Sequence, residues 1–394
     1  MRKNVNKIMG VIGASVLSLS LLAGCGAKGV GQADSSSAEE SGGSEIKIGF
    51  VAALSGGGAL YGKQMQQGAQ LAVDEINAAG GVIGKKLKLV AQDDQANPSE
   101  SVKVTQRLVT EEKIDAWMGT LKSSDTLTDL GITSKQNIPS FVPIAVADKI
   151  TTSGFQNVYR NVADNTMQVQ ELVNYILNSR PDKKVALISE NSDYGRGLAE
   201  TFAKEFESKG GQVLTSEFYN VGQKEFTDQL TKIKKTKPDA IVIGGLVAEG
   251  ALISKQAQDL GLKYQLYSYG GFMGSAPIDL AGSAVNGLIH TEYFTPVEGD
   301  KKIEQFVDAY SKQYGQKPDS YYSAATYDAV YLYAEGVKMA NTTEPGKVNE
   351  ALHTVKDFQG VMGKITFDQN GQADNKVWIG QIQDGKQVVI HRPQ

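Results

Sequence analysis

Short apolar strands alternate with amphipathic helices in this chain, and the alternation limits the folds that it can adopt. Residues 46–52 form an apolar run that ends at a serine and three glycines, which is typical of a buried parallel strand. Apolar residues then recur at helical spacing between 65 and 76, and two glycines end the helix. Strands at 87–91 and 114–118 are separated by a helix predicted from 97 to about 112. The predicted order is βαβα.

The same alternation is repeated further along the chain. Strands are predicted at 185–189, 213–219 and 240–243, with a helix in each interval. Two consecutive βαβα blocks, each with its own apolar strands, predict two doubly wound α/β lobes rather than one large sheet. Ligands of such sheets bind at the carboxyl ends of the strands, and two facing lobes bring those ends to one cleft. Candidate site residues should therefore follow strands.

The first 25 residues predict export. Three basic residues precede an apolar run of 15 residues at 8–22, which is shorter than the roughly 20 residues of a membrane span and typical of a signal peptide. The run ends in Leu-Ala-Gly-Cys, which resembles the lipobox of bacterial lipoproteins. We therefore expect residues 1–24 to be removed and Cys25 to carry a lipid. The alternative is a signal peptide that ends in a chance cysteine.

The composition predicts a flexible tether and excludes several classes of protein. Residues 25–44 are mostly Gly, Ser, Ala and Glu, which predicts a flexible segment after the lipidated cysteine. Cys25 is the only cysteine, so a disulfide framework and a cysteine-based metal site or nucleophile are excluded. The formal net charge of −4 becomes about −7 without the basic residues of 1–24. An acidic body argues against nucleic acid as a partner.

Short motifs follow one another in a specific order from residue 45 to about 390. They include Glu-Ile-Lys-Ile-Gly at 45–49, Ile-Asn-Ala-Ala-Gly-Gly at 76–81, Arg160, Asp-Tyr-Gly-Arg-Gly at 193–197 and Thr-Tyr-Asp-Ala at 326–329. The series resembles the type I periplasmic binding proteins of the branched-chain amino acid (Leu/Ile/Val) ABC importers.

This resemblance implies a fold and a function. The chain would cross between the lobes three times, with lobe 1 at 45–164 plus 294–375 and lobe 2 at 165–293 plus 376–394. A small carboxylate-bearing solute, an amino acid or a related organic acid, would be captured between the lobes and passed to the permease subunits of an ABC importer. The protein would be extracytoplasmic and lipid-anchored to the bacterial cell membrane, with no cofactor and no catalysis. A membrane-tethered sensor that presents its closed form to a receptor is the alternative.

The resemblance also implies ligand contacts. The Ser123 hydroxyl and the backbone N–H groups at the start of its helix would hold the ligand's carboxylate, a site that the helix dipole favours for anions. Alternatively, Ser123 or Ser124 is only a helix cap. Tyr61, Tyr194 and Tyr322 fall on positions that wall the pocket. The remaining predicted contacts are Ser124, Ile144, Val146, Leu246 and Gly270.

Two positions depart from the family pattern. Amino-acid binders of this group hold the ligand's ammonium with a hydroxyl and a carboxylate, where this chain has Val146 and Gly270. Because a buried ammonium without a paired charge is costly, either another acid reaches it or the ligand lacks a free α-amino group. In the second case an aromatic or branched organic acid would bind better than leucine. The acids near strand ends are Asp125, Glu190, Asp193 and Glu249, whose alternative role is solvated or helix N-terminal charge.

Evidence for catalysis is weak. The glycine-rich loop at 56–62 follows a strand as a dinucleotide loop does, but its spacing is wrong and no acid follows at the expected distance. His290, His353 and His391 are widely separated, and none neighbours a nucleophile or a metal-ligand pair. The sequence therefore predicts a binding protein rather than an enzyme, without a metal.

Overall fold

Two mainly parallel sheets form the framework of the computed structural model, which describes residues 45–294 and 300–392. The predicted signal peptide at 1–24, Cys25 and the tether to residue 44 lie outside the described residues. Within the described part, every helix is too short or too polar to cross a lipid bilayer.

The strands fall into two sheets and one hairpin. The first sheet contains β1 (Ile46–Ala52), β2 (Leu87–Asp93), β3 (Ala116–Met118), β4 (Ser140–Phe141) and β5 (Val158–Tyr159). The second contains β6 (Lys184–Glu190), β7 (Gln212–Tyr219), β8 (Ala240–Gly244), β9 (Gln265–Ser268), β10 (Ile289–Glu292), β13 (Trp378–Gln383) and β14 (Lys386–His391). The hairpin pairs β11 (Phe358–Gly360) with β12 (Gly363–Ile365).

Twelve α-helices are present among the described residues. The early ones are α1 (Ala59–Ala78), α2 (Pro98–Arg107), α3 (Ser123–Thr133) and α4 (Lys149–Thr152). The middle ones are α5 (Asn165–Ser179), α6 (Asp193–Ser208), α7 (Thr227–Thr236), α8 (Val247–Asp259) and α9 (Ala276–Ala281). The last are α10 (Lys301–Tyr314), α11 (Tyr321–Ala340) and α12 (Pro345–Leu352).

Strand order is the same in both sheets. The first sheet runs β2-β1-β3-β4-β5, entirely parallel. The second runs β7-β6-β8-β9-β10 in parallel, and β13 and β14 extend it in antiparallel fashion. In each sheet the order reverses beside the first strand, between β1 and β3 and between β6 and β8. Parallel α/β sheets bind ligands outside such reversal points.

Both faces of each sheet are buried. In β1, Phe50 and Val51 point into different apolar clusters, as do Leu187 and Ile188 in β6. Helices α1 and α11 pack on one face of the first sheet, and α2 and α3 on the other. Helices α5 and α6 cover one face of the second sheet, and α7 and α8 the other. The predicted class of two doubly wound α/β lobes is confirmed.

The chain passes between the lobes three times, as predicted. It leaves lobe 1 after β5, returns after β10, where α10, α11 and α12 pack on lobe 1, and crosses again to reach β13. The residue boundaries given above for the lobes stay a prediction.

Arg160 connects the segments around these crossings. Its fully buried guanidinium donates hydrogen bonds to the Ala147 carbonyl at 2.7 Å, the Thr151 hydroxyl at 3.0 Å and the Gln372 amide oxygen at 2.5 Å. Its Nη2 also lies 3.5 Å from the carboxylate of Asp164, which caps α5. Burial lowers the pKa of Arg160, and the Asp164 charge opposes this effect. One side chain thus ties together the loop after β4, the start of α5 and the approach to the third crossing.

Three local details differ from the sequence predictions. The helix predicted to reach about residue 112 ends at Arg107 and continues as a π-helical turn, Leu108–Glu112. The strand predicted from residue 114 begins at Ala116. Helix α3 has Lys122 at its N-cap position, so neither Ser123 nor Ser124 is the cap.

Candidate ligand-binding site

A cavity of about 490 Å³ lies between the carboxyl ends of the two sheets. Lobe 1 contributes Pro98 and residues that follow β3 and β4. Lobe 2 contributes Gln168, Glu190 at the end of β6, and residues that follow β6, β7, β8, β9 and β10. The start of α11 adds Tyr321 and Tyr322. The cavity therefore occupies the place where a ligand of two facing parallel sheets is expected to bind.

The N-terminus of α3 forms the polar end of the lobe 1 wall. Ser123 is almost fully buried, and its Oγ accepts a hydrogen bond from the backbone N–H of Ala147 at 3.2 Å. Because that bond uses an oxygen lone pair, the hydroxyl proton stays available to a ligand. The first N–H groups of a helix have no acceptor within the helix, so the start of α3 also offers backbone donors. This arrangement suits a carboxylate.

Most of the predicted contacts line the cavity together. Ser123, Ser124, Ile144 and Val146 lie on the lobe 1 side. Tyr194 and Leu246 lie on the lobe 2 side, and Tyr322 lies at the start of α11.

Tyr61 and Gly270 are outside the cavity lining. Tyr61 packs behind Tyr322, with ring centroids 4.9 Å apart, and its buried hydroxyl has no hydrogen-bond partner. Gly271, the neighbour of Gly270, lines the cavity instead. Gly270 donates its N–H to the Gln168 amide oxygen at 3.1 Å.

A row of tyrosines forms the aromatic wall of the cavity, and sequence reasoning identified only part of it. The Tyr321 and Tyr322 rings stack with centroids 4.4 Å apart, and Tyr293 meets Tyr321 edge-on at 4.6 Å. Tyr321 could have been found from its position beside Tyr322 at the start of a helix. Tyr293 has no local signal other than its place after a strand.

The acids near the strand ends divide into two groups. Asp125, Glu190 and Asp193 line the cavity, whereas Glu249 does not. Glu249 accepts a hydrogen bond from the backbone N–H of Gly222 at 2.9 Å. Asp193 lies 3.3 Å from the Lys149 ammonium, an ion pair that connects lobe 2 with lobe 1.

Two of these carboxylates are buried. Asp125 is 1% exposed; its Oδ1 accepts from the Ser124 hydroxyl at 3.0 Å, and its Oδ2 has no partner. Glu190 is 5% exposed, and its Oε1 accepts from the Ser192 hydroxyl at 2.5 Å. Burial raises the pKa of both carboxyls, and the hydrogen bonds from the two serines oppose the shift. Among the described residues that line the cavity, only Lys122 is basic, and its ammonium donates to the Ala96 carbonyl at 2.6 Å.

Metal-binding side chains are not grouped in the described part of the chain. Among residues 45–294 and 300–392, no three His, Cys, Asp or Glu side chains are arranged to hold a metal ion. His290 is buried in lobe 2 and forms hydrogen bonds with the Thr291 carbonyl and the Gln387 amide.

Comparison with known proteins identifies the family. The family model described as periplasmic binding protein matches residues 45–387. The chain belongs to the periplasmic binding protein family. This is a family of extracytoplasmic solute-binding proteins rather than enzymes, and the likeness to its type I, branched-chain amino acid group is confirmed.

Three relatives illustrate the likeness. The leucine-, isoleucine-, valine-, threonine- and alanine-binding protein of Pseudomonas aeruginosa is 30% identical over 330 residues, which are 84% of this chain and 87% of that protein. The structure of LivJ, a branched-chain amino acid transporter substrate-binding protein of Streptococcus pneumoniae in complex with isoleucine, is 32% identical with a TM-score of 0.81. That comparison covers 89% of this chain and all of LivJ. The leucine-binding protein LivK of Thermotoga maritima has a TM-score of 0.83 at 27% identity, covering 88% of this chain and 99% of LivK.

Proposed function

We propose that this protein is the substrate-binding component of an ABC importer and captures a small carboxylate-bearing solute, an amino acid or a related organic acid. The observation that carries the proposal is the cavity, because both lobes supply its walls from the ends of their parallel strands. A solute bound there contacts both lobes at once, so its binding favours their closed arrangement.

The chemistry of the walls supports the choice of solute. The start of α3 offers the Ser123 hydroxyl and backbone N–H groups to an anion. Ile144, Val146 and Leu246 add apolar surface, and the tyrosines offer both aromatic faces and phenol groups. A small molecule with one carboxylate and an apolar body matches these walls. Relatives named for leucine, isoleucine and valine support the same class.

The remaining parts of the proposal concern location. We propose that Cys25 is lipidated, that residues 25–44 tether the protein to the outer face of the bacterial cell membrane, and that the closed form delivers its solute to the permease subunits. The protein then performs no chemistry on the solute.

A thermal-shift panel tests the binding proposal on the purified protein. A ligand present at 100 times its Kd stabilises the folded state by about 2.7 kcal/mol. With an entropy of unfolding of about 2.1 cal/mol/K per residue over about 350 residues, this raises the Tm by about 4 °C. We expect such a shift with at least one amino acid or organic acid and none with nucleotides. A shift confined to solutes without a carboxylate would contradict the proposal.

An uptake assay tests the importer role. Cells that lack the protein should lose uptake of the solute found in the panel, and expression of the intact chain should restore it. Normal uptake without the protein, together with binding of the solute, would favour the role of a sensor.

A further inference from the structure

Glu190 is a buried carboxyl group on the cavity wall without an ion-pair partner among the described residues. It is the last residue of β6 on lobe 2 and is 5% exposed, and no ion pair among the described residues includes it. Its one side-chain hydrogen bond, from Ser192, engages Oε1 and leaves Oε2 without a side-chain donor. A buried carboxylate in this situation is costly, and a positive group in the cavity would reduce the cost.

The surroundings of Glu190 are poor in positive charge. Glu249 adds a second negative charge close enough to raise the pKa of Glu190 further. The buried hydroxyl of Tyr219, also on the lobe 2 side, has no hydrogen-bond partner. Lys122 is the one base close enough to oppose these effects, and its ammonium is engaged by the Ala96 carbonyl in lobe 1. The Ser192 hydroxyl and the backbone N–H of Leu246 also oppose the rise in the pKa of Glu190, but no basic side chain forms an ion pair with it among the described residues.

The other acids of the cavity are in different surroundings. Asp193 forms the ion pair with Lys149. Asp125 lies in the first turn of α3, where the positive end of the helix dipole stabilises a carboxylate. Glu190 precedes α6 and its N-cap Ser192, and thus lies before the first turn of that helix. Glu190 therefore has neither an ion pair nor a place in the first turn of a helix, so a cationic ligand group would stabilise its charged form.

The space beside Gly270 is filled, so the end of β9 cannot supply a carboxylate to the cavity. A Cβ atom at Gly270 would lie 2.4 Å from the Tyr293 hydroxyl and 2.7 Å from its ring, so Tyr293 occupies the space that a side chain at this position would need. Tyr293 is 5% exposed and lines the cavity. A carboxylate cannot project from position 270 while Tyr293 forms the wall.

We propose that Glu190 binds the ammonium group of an α-amino acid whose carboxylate is held at the start of α3. The inference rests on the proposed function and narrows its ligand class to zwitterions with both groups. It favours the first of the two alternatives left by Val146 and Gly270, in which another acid replaces the lost anchors.

Matched ligand pairs test the inference. Leucine and 4-methylpentanoate differ only in the α-ammonium, as do phenylalanine and 3-phenylpropanoate. Calorimetry on the intact protein should give tighter binding for the amino acid of at least one pair. Glu190→Gln keeps the shape of the side chain and removes its charge, so it should weaken that amino acid about 10- to 100-fold and leave the des-amino acid nearly unchanged. Glu200→Gln, at an exposed acid of α6, should change neither.

The outcomes separate the two proposals. Equal or tighter binding of both des-amino acids would overturn the role of Glu190 while leaving capture of a carboxylate intact. Loss of amino-acid preference in Asp125→Asn but not in Glu190→Gln would also overturn it. If neither member of either pair binds and the wider panel gives no carboxylate ligand, the proposed function itself fails. A circular dichroism melt of each variant identifies any that does not fold. If Glu190→Gln does not fold, Glu190→Asp, which keeps the charge on a shorter side chain, should fold and retain the preference for the amino acid.

Discussion

Ser123→Ala should weaken ligand binding and also lower stability, and the structure gives a separate magnitude for each effect. The hydroxyl accepts the Ala147 N–H at 3.2 Å and has its own proton left for a ligand carboxylate. Loss of a hydrogen bond to a charged group costs about 1.5–3 kcal/mol, which weakens binding by about one to two decades.

The stability effect has a different origin. Ala147 is 2% exposed, so its N–H becomes a buried donor without an acceptor when the hydroxyl is removed. Such a group costs about 1–3 kcal/mol. With the entropy of unfolding used above, the Tm of the ligand-free protein should fall by about 1–4 °C. A pure binding contact would not move this Tm.

The assay combines calorimetry with a melt of the free protein. The ligand is the one that gives the largest shift in the panel. Thr128→Ala is the control, because Thr128 lies on the same helix, is exposed, and bonds only to the backbone carbonyl of Ser124. If Ser123→Ala binds as tightly as the control, the hydroxyl is not a ligand contact. An unchanged Tm would contradict its bond to Ala147.

Two other predictions concern pH and location. Burial raises the pKa of Glu292 to about 8, so between about pH 4.5 and 8 the folded state binds more protons than the unfolded state, and the free energy of unfolding falls as pH rises. Glu292→Gln should reduce the difference between the free energies of unfolding measured in urea at pH 5 and pH 8. The same difference in the variant and the parent protein would refute this cause. If Cys25 is lipidated, Cys25→Ala should move the protein from the detergent phase to the aqueous phase, whereas identical partitioning would contradict the lipid anchor.

The alternation of apolar strands and helices was enough to predict the two lobes because it is a local signal. A central strand such as β8 buries both faces and therefore has an unbroken apolar run at 240–243, while the helices have one apolar stripe. Boundaries were less accurate. The helix expected to end near residue 112 changes to π-helical geometry at Leu108, and nothing in its composition marks the change.

The sequence located residues of the cavity wall where a side chain comes soon after a strand or opens a helix, and their contact with a ligand stays a prediction. Ser123, Val146 and Tyr194 are of this kind, and all three line the cavity. Positions whose orientation depends on distant residues were not predictable. Whether residue 270 or 271 faces the cavity depends on Gln168, more than 100 positions earlier in the chain, which binds the Gly270 N–H.

The same dependence on distant residues explains why the missing anchors do not identify the ligand by themselves. Val146 and Gly270 offer no polar side chain to an ammonium, but the cavity receives residues from many other strand ends of both lobes and from α11. Because all of these strand ends meet at one cavity, a carboxylate that is absent after β9 can be supplied by the end of β6 without any change of fold. A side chain at position 270 would require Tyr293 to move or to be replaced, because the hydroxyl and ring of Tyr293 occupy that space. The charge that the cavity accepts in a ligand therefore depends on all the buried groups around it, and Glu190 is one buried acid there without an ion-pair partner among the described residues.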